Sequence, residues 1–84
     1  MGDAADMINP YSHVPVYRQL AGILRQQIES GELQHLDMLP SEKTLSQTYN
    51  VGRDTVRSAM AVLREDGLVF TVAHRGTFVG PRPE

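Results

Sequence analysis

Basic side chains cluster in the middle of a chain that is acidic as a whole. The 84-residue sequence has ten Asp and Glu against eight Lys and Arg, a formal net charge of −2. Arg53 and Arg57 stand in the opening turns of a predicted helix, where the dipole normally favours acidic side chains. A guanidinium presents donors in a fork that matches phosphate and the edge of guanine. The pattern therefore indicates an anionic partner outside the helix.

The sequence carries no motif for catalysis or for holding a metal. It has no cysteine, which excludes a disulfide scaffold and a thiolate zinc site. His13, His35 and His74 are scattered over an arm, a connector and a hairpin, so they do not form a ligand set. A Gly-rich phosphate loop and a nucleophile elbow are both missing. We expect no enzymatic activity, no cofactor and no metal.

Length and hydrophobicity predict one small domain away from membranes. Apolar residues make up 40% of the chain and are spread through it, which is typical of a folded protein. The chain has no apolar run near the ~20 residues that cross a bilayer. Its first residues lack the basic and apolar regions of a signal peptide. We expect a cytoplasmic protein.

The first predicted helix begins at Val14, with Pro15 in its first turn, and ends before Gly31. Its apolar residues recur at the spacing of one buried face: Tyr17, Leu20, Ala21, Leu24 and Ile28. In the connector that follows, three leucines are expected to close one end of the core: Leu33, Leu36 and Leu39. Residues 1–13 are polar and are expected to form a flexible arm.

Two further helices follow, with only a short break between them. Ser41 suits the N-cap of the second helix, and Asn50 suits the left-handed residue at its end. The third helix starts near Gly52 and ends before Gly67, with a buried stripe on one face: Val56, Ala59, Met60 and Leu63. Helices joined by so tight a turn are typical of a helix-turn-helix.

The period changes after the third helix. "LVFTV" and "TFV" are rich in β-branched and aromatic residues and flank the turn "AHRG", which predicts a β-hairpin. The expected fold is mainly α with a small β-hairpin, a winged helix-turn-helix over residues 14–80. Residues 81–84 would be a tail or the start of a linker.

Residues 39–69, "LPSEKTLSQTYNVGRDTVRSAMAVLREDGLV", resemble the DNA-binding domain of the GntR family of bacterial transcription regulators. The shared pattern is Leu-Pro-Ser-Glu, then a Thr-Val-Arg segment, then a Gly-Leu close, and "HRGTFV" is similar to the family's wing. The resemblance implies sequence-specific binding of double-stranded DNA by a regulator, expected to be a repressor. A recognition helix at 52–66 would enter the major groove, and a wing at 68–80 would lie at an adjacent groove.

The resemblance also implies which residues contact DNA. By position they are Lys43, Gly52, Arg53, Asp54, Thr55, Arg57, His74, Arg75 and Gly76. The family usually has Ser or Thr where Gly52 stands, and a neutral residue is common where Asp54 stands. The alternative reading of the arginines is a solvated helix face with local ion pairs, such as Arg53 with Glu42 or Asp54. Arg64, near the helix C-terminus, is expected to complement the dipole.

Assembly and partners are the remaining expectations. GntR-family operators are pseudo-palindromic, which implies two copies of the protein on one site. We expect this chain to be a monomer in free solution and to form a homodimer on DNA. An effector ligand would require a further C-terminal domain. The alternative function is a winged helix that contacts another protein and does not read DNA.

Overall fold

The computed structural model describes residues 4–84 and confirms the predicted fold class. Its elements are a 3-10 turn at Ala4–Met7, helices α1 (Val16–Glu29), α2 (Glu42–Tyr49) and α3 (Arg53–Glu65), and strands β1 (Val69–Val72) and β2 (Gly76–Val79). The two strands form an antiparallel hairpin in which Val69 pairs with Val79. None of these helices has the length and apolar content needed to cross a membrane.

The core lies where α1 crosses α3 and is closed by α2 and the base of the hairpin. Twelve apolar side chains are buried there: Leu20, Ala21, Leu24, Leu39, Leu45, Tyr49, Val56, Ala59, Met60, Leu63, Val69 and Val79. The stripe predicted on α3 is confirmed in full, because all four of its residues are in this set. α3 is thereby fixed on one side and leaves its other side to solvent.

Local capping determines where the helices begin and end. The hydroxyl oxygen of Ser41 accepts a hydrogen bond from the Thr44 amide at 3.1 Å, and Asn50 is left-handed, with a φ of 54°. Both features confirm the prediction. The expected place of Pro15 was wrong by one position: its ψ of 145° is extended, so it precedes the first turn of α1 instead of lying in it.

Ser41→Ala should lower the free energy of unfolding by about 1 kcal/mol, because the Thr44 amide loses its partner at the start of α2. Urea titration followed by circular dichroism measures the change. Ser58→Ala is the matched control, since Ser58 is exposed within α3 and alanine favours a helix interior. Equal destabilisation by the two variants would contradict the capping role.

The connector between α1 and α2 pairs with the outer edge of the hairpin. The amides of Leu36 and Leu39 donate to the carbonyls of Val79 and Thr77 at 2.9 and 2.8 Å, and the Val79 amide donates to the Asp37 carbonyl at 2.8 Å. The free edge of β2 is therefore covered, which fixes the hairpin to the helices.

One of the three connector leucines does not close the core as predicted. Leu39 is buried and Leu33 packs on the core, but Leu36 is 48% exposed. Its φ of 72° is left-handed, and this turn lets its amide reach Val79 while its side chain remains in solvent. The backbone pairing determines the orientation of this residue.

The segment expected to be a loose arm carries local structure over its described residues, while residues 1–3 lie outside them. Ala4 and Ile8 pack against the core. The Gln19 side chain accepts from the Asn9 amide at 2.8 Å and donates to the Asn9 carbonyl at 2.9 Å. Tyr11 is 95% exposed. The boundary expected at residue 13 stays a prediction.

Candidate nucleic-acid interface

A groove of about 350 Å³ runs along one flank of α3, between the start of α2 and the hairpin. Glu42 lines it on the α2 side, Arg57 and Arg64 on the α3 side, and Gly76 and Thr77 on the hairpin side. The elements that the sequence assigned to a DNA contact thus meet at one surface. This surface is called the α3 groove below.

Arg57 is held at the α3 groove by two carboxylates. Its Nε and one terminal nitrogen donate to the two Glu42 oxygens at 2.9 and 3.0 Å, and the other terminal nitrogen donates to Asp54 at 3.1 Å. The hydrogen bond to Glu42, and the negative charges of both carboxylates, raise the pKa of the Arg57 guanidinium above its usual range. The ion pair predicted as an alternative therefore exists, but with Arg57 in place of Arg53.

The cluster is open to solvent, so its ion pairs can exchange partners. The Arg57 side chain is 62% exposed and that of Asp54 is 97% exposed. Exposed ion pairs of this kind contribute little to stability because water screens them. The Glu42 pair can therefore orient the Arg57 guanidinium while leaving it accessible to another anion.

The other basic residues of the predicted site are exposed around the α3 groove. Lys43 follows the groove residue Glu42, and Arg53 lies one turn before Arg57 on the same flank of α3. Neither Lys43 nor Arg53 forms an ion pair within residues 4–84. They extend the basic surface beyond the α3 groove itself.

Thr55 is not brought to the α3 groove. At 100° per residue it lies about 160° around α3 from Arg53, on the opposite flank. It is half-buried. A helix lying in a major groove has a DNA strand on each side, so Thr55 and the arginines would address different strands.

Gly52 occupies the N-cap of α3 in ordinary extended backbone, with φ of −67° and ψ of 155°. A Cβ at Gly52 would meet nothing within 4 Å. The space accommodates the Ser or Thr that is usual in the resembled family, so Gly52 is not required by the backbone here.

Positive φ angles occur in the hairpin turn and at the first residue of β2. His74 has a φ of 63°, and the Arg75 amide donates to the Val72 carbonyl at 3.0 Å to close the turn. Gly76 has a φ of 140°, and a Cβ there would lie 3.1 Å from the sulfur of Met38. The sequence placed Gly76 in the turn "AHRG". In the structure Gly76 pairs with Val72 and is the first residue of β2.

Arg64 connects α3 to the hairpin. Its Nη1 donates to the hydroxyl oxygen of Thr71 at 3.1 Å, and that hydroxyl also bonds the Thr77 hydroxyl at 3.2 Å. Thr71 and Thr77 are cross-strand partners, two positions along from the buried pair Val69 and Val79. The sequence predicted a dipole role for Arg64 and missed this contact, since only the packing of the hairpin on α3 brings Thr71 within reach.

Comparison with known proteins agrees with this architecture. Residues 16–79 match the family described as "Bacterial regulatory proteins, gntR family". The chain belongs to the gntR family. The match covers α1, the helix-turn-helix and the complete hairpin, so it includes every predicted contact residue.

Two curated gntR-like relatives are repressors by name. The HTH-type transcriptional repressor NagR of Bacillus subtilis (strain 168) is 42% identical over 72 residues, covering 86% of this chain and 30% of NagR. The mannosyl-D-glycerate transport/metabolism system repressor MngR of Escherichia coli (strain K12) is 42% identical over 67 residues, covering 80% of this chain and 28% of MngR. The chain thus spans less than a third of either relative.

Two solved structures with about a third of their residues identical to this chain show the same fold. AraR(DBD), crystallised in complex with operator ORX1, superposes with a TM-score of 0.80 at 32% identity, covering 86% of this chain and 89% of that one. YtrA from Sulfolobus acidocaldarius, a GntR-family transcription factor, also gives a TM-score of 0.80 at 32% identity, covering 90% and 80% of the two chains. The first of these was solved on DNA.

Proposed function

We propose that this chain is the DNA-binding domain of a transcription repressor and reads a double-stranded operator. α3 enters the major groove, the start of α2 rests on the DNA backbone, and the hairpin tip reaches an adjacent groove. The observation that carries the proposal is the basic surface around the α3 groove, formed on the elements that a helix-turn-helix presents to DNA.

The charge distribution supports DNA as the partner despite the net charge of −2. Arg57 and Arg64 line the α3 groove, and three further basic residues are close to lining residues in the chain or along α3: Lys43, Arg53 and Arg75. The two acidic residues there, Glu42 and Asp54, are both ion-paired to Arg57. The α3 groove and its border therefore carry more basic than acidic residues. The outward side of α3 adds the exposed Glu65, and the excess of acid belongs to the rest of the chain. Such a local field attracts a polyanion whatever the total charge.

The distribution of apolar side chains disfavours the alternative, a module that contacts another protein. Such interfaces are centred on aromatic and aliphatic residues. The large apolar side chains that are exposed within residues 4–84 all lie in the amino-terminal segment or the connector: Met7, Tyr11, Val14, Leu36 and Met38. The exposed side of α3 carries none of them, so it lacks the apolar centre that such an interface would need.

Selection from a pool of random duplexes tests the proposal directly. The chain should enrich a defined sequence, and that duplex should bind more tightly than a scrambled duplex of the same length at the same salt concentration. Equal binding of both, or no duplex binding at low salt, would refute sequence-specific recognition.

Thr55→Ala should weaken binding to selected and scrambled duplexes by the same factor, because a phosphate contact holds the helix without reading sequence. Fluorescence anisotropy with both duplexes gives the two ratios. Gln26→Ala serves as the control, because Gln26 is exposed on α1, away from the α3 groove. A loss confined to the selected duplex would instead assign Thr55 to a base.

Assembly and location complete the proposal. Two copies would occupy the half-sites of a pseudo-palindromic operator, since two-fold operators match two-fold proteins. An effector ligand would bind a further C-terminal domain in a longer protein, as the short share of NagR and MngR covered by this chain allows. The site of action would be the bacterial cytoplasm, at the nucleoid.

A further inference from the structure

We infer that Arg64 binds a backbone phosphate of the DNA strand that passes between α3 and the hairpin, and that Thr71 orients it for this contact. The inference rests on the proposed function and extends it to a residue outside the expected contact set. With α3 in the major groove and the hairpin tip in the adjacent minor groove, the strand separating those two grooves must cross the space between the two elements. That space is the α3 groove, and Arg64 lines it.

The position of Arg64 along α3 favours phosphate over a base. It lies eleven residues beyond Arg53, about 16 Å along the helix axis at 1.5 Å per residue. The major groove is about 12 Å wide and 8.5 Å deep. When the first turn of α3 reaches the base edges, Arg64 lies at the rim of the major groove, where the phosphates are.

The direction of the Arg64 side chain is set by the hairpin. Thr71 accepts one hydrogen bond from Nη1, and the Thr77 hydroxyl holds Thr71 in turn. A guanidinium has five donors, so this bond leaves four for another acceptor. Arg64 and Thr71 are both exposed, which leaves those donors accessible from the α3 groove.

The arrangement differs from an ion pair. Arg64 has no carboxylate partner within residues 4–84, whereas Arg57 has two. A neutral hydroxyl orients the charge without neutralising it. Arg64 therefore retains its full charge for a phosphate, and contact with that phosphate releases a counterion from the DNA.

In Arg64→Gln the slope of log affinity against log salt should be less negative by about 0.9, the contribution of one phosphate contact. The ratio of variant to native dissociation constants should then shrink about 3.5-fold between 50 and 200 mM salt. Arg64→Lys keeps the charge and should keep the slope. Thr71→Val removes only the orienting hydroxyl, so it should weaken binding at an unchanged slope.

Arg25→Gln is the matched control, because Arg25 is exposed, has one side-chain partner, Asp66, and lies on α1 away from the α3 groove. An unchanged slope in Arg64→Gln, or an equal change in Arg25→Gln, would overturn the phosphate contact. Those results leave native DNA binding intact, whereas a native chain that binds no duplex would refute the proposed function itself. Circular dichroism of each variant verifies that the compared proteins are folded.

Discussion

Raising salt from 50 to 200 mM should weaken duplex binding by about 150-fold, because four basic side chains are placed to displace counterions from phosphates. They are Lys43, Arg53, Arg57 and Arg75. At about −0.9 per contact, the slope of log affinity against log salt is close to −3.6. The contact proposed for Arg64 would bring it to about −4.5 and the loss to about 500-fold. Anisotropy titrations at four or more salt concentrations measure the slope.

Two comparisons test whether the salt dependence comes from phosphate contacts. A scrambled duplex should show a similar slope, since phosphate contacts do not depend on sequence. The slope of log affinity against log salt should be less steep for Arg53→Ala than for the native chain, because a guanidinium in the major groove lies near the flanking phosphates even when its donors bind a base. An unchanged slope would remove Arg53 from the four side chains counted above. A native slope near zero would contradict DNA binding, because contacts with phosphates supply a large share of protein–DNA affinity and make it salt-dependent.

Arg53→Ala should reduce affinity for the selected duplex by about 1–3 kcal/mol, between five-fold and 150-fold, and relax the preference at one base pair. Arg53 is the stronger candidate for readout of guanine. It stands in the first turn of α3, and it has no ion pair within residues 4–84 to be broken first. Duplexes substituted one base pair at a time show whether a single position loses its preference. Equal loss on every duplex would make Arg53 a phosphate contact.

Arg57 should behave differently because its guanidinium is already engaged. Arg57→Ala frees Glu42 and Asp54, which then repel the DNA, so the measured loss includes more than one missing contact. The double variant Glu42→Gln with Arg57→Ala removes the part of that repulsion due to Glu42 and leaves the part due to Asp54. The affinity that Glu42→Gln recovers in the Arg57→Ala background measures how much of the loss is due to repulsion by Glu42. Arg53→Ala gives the loss for an arginine whose removal frees no carboxylate.

Short-range signals made most of the fold predictable. Ser41, Asn50 and Gly67 each act through neighbouring backbone groups, so their residue types alone indicate where helices begin or end. The stripe on α3 follows from helical periodicity in the same way. The misplaced Leu36 depended on a contact distant in sequence. Leu36 is exposed because its amide pairs with Val79, and no local pattern shows that pairing.

The sequence predicted which types of residue form the site, but not which side chains contact each other there. Sequence reasoning placed an ion pair at the start of α3 but assigned it to Arg53, since the relative position of α2 and α3 was unknown. In the structure the turn at Asn50 brings Glu42 opposite Arg57. Arg64 was assigned to the helix dipole for the same reason, because its hydroxyl partner comes from the hairpin.

The pairing of the connector with β2 has a consequence for how the chain is made. Residues 36–39 leave the ribosome before residues 77–79. The amides of Leu36 and Leu39 therefore remain without their carbonyl partners, Val79 and Thr77, until that later segment has been synthesised. Val79, which is synthesised after the connector, both fills the core and pairs with the connector. In the nascent chain, the helices can therefore form before the connector pairs with β2. Until Val79 leaves the exit tunnel, the apolar surface around Leu39 and Val69 is open to chaperones and to other nascent chains.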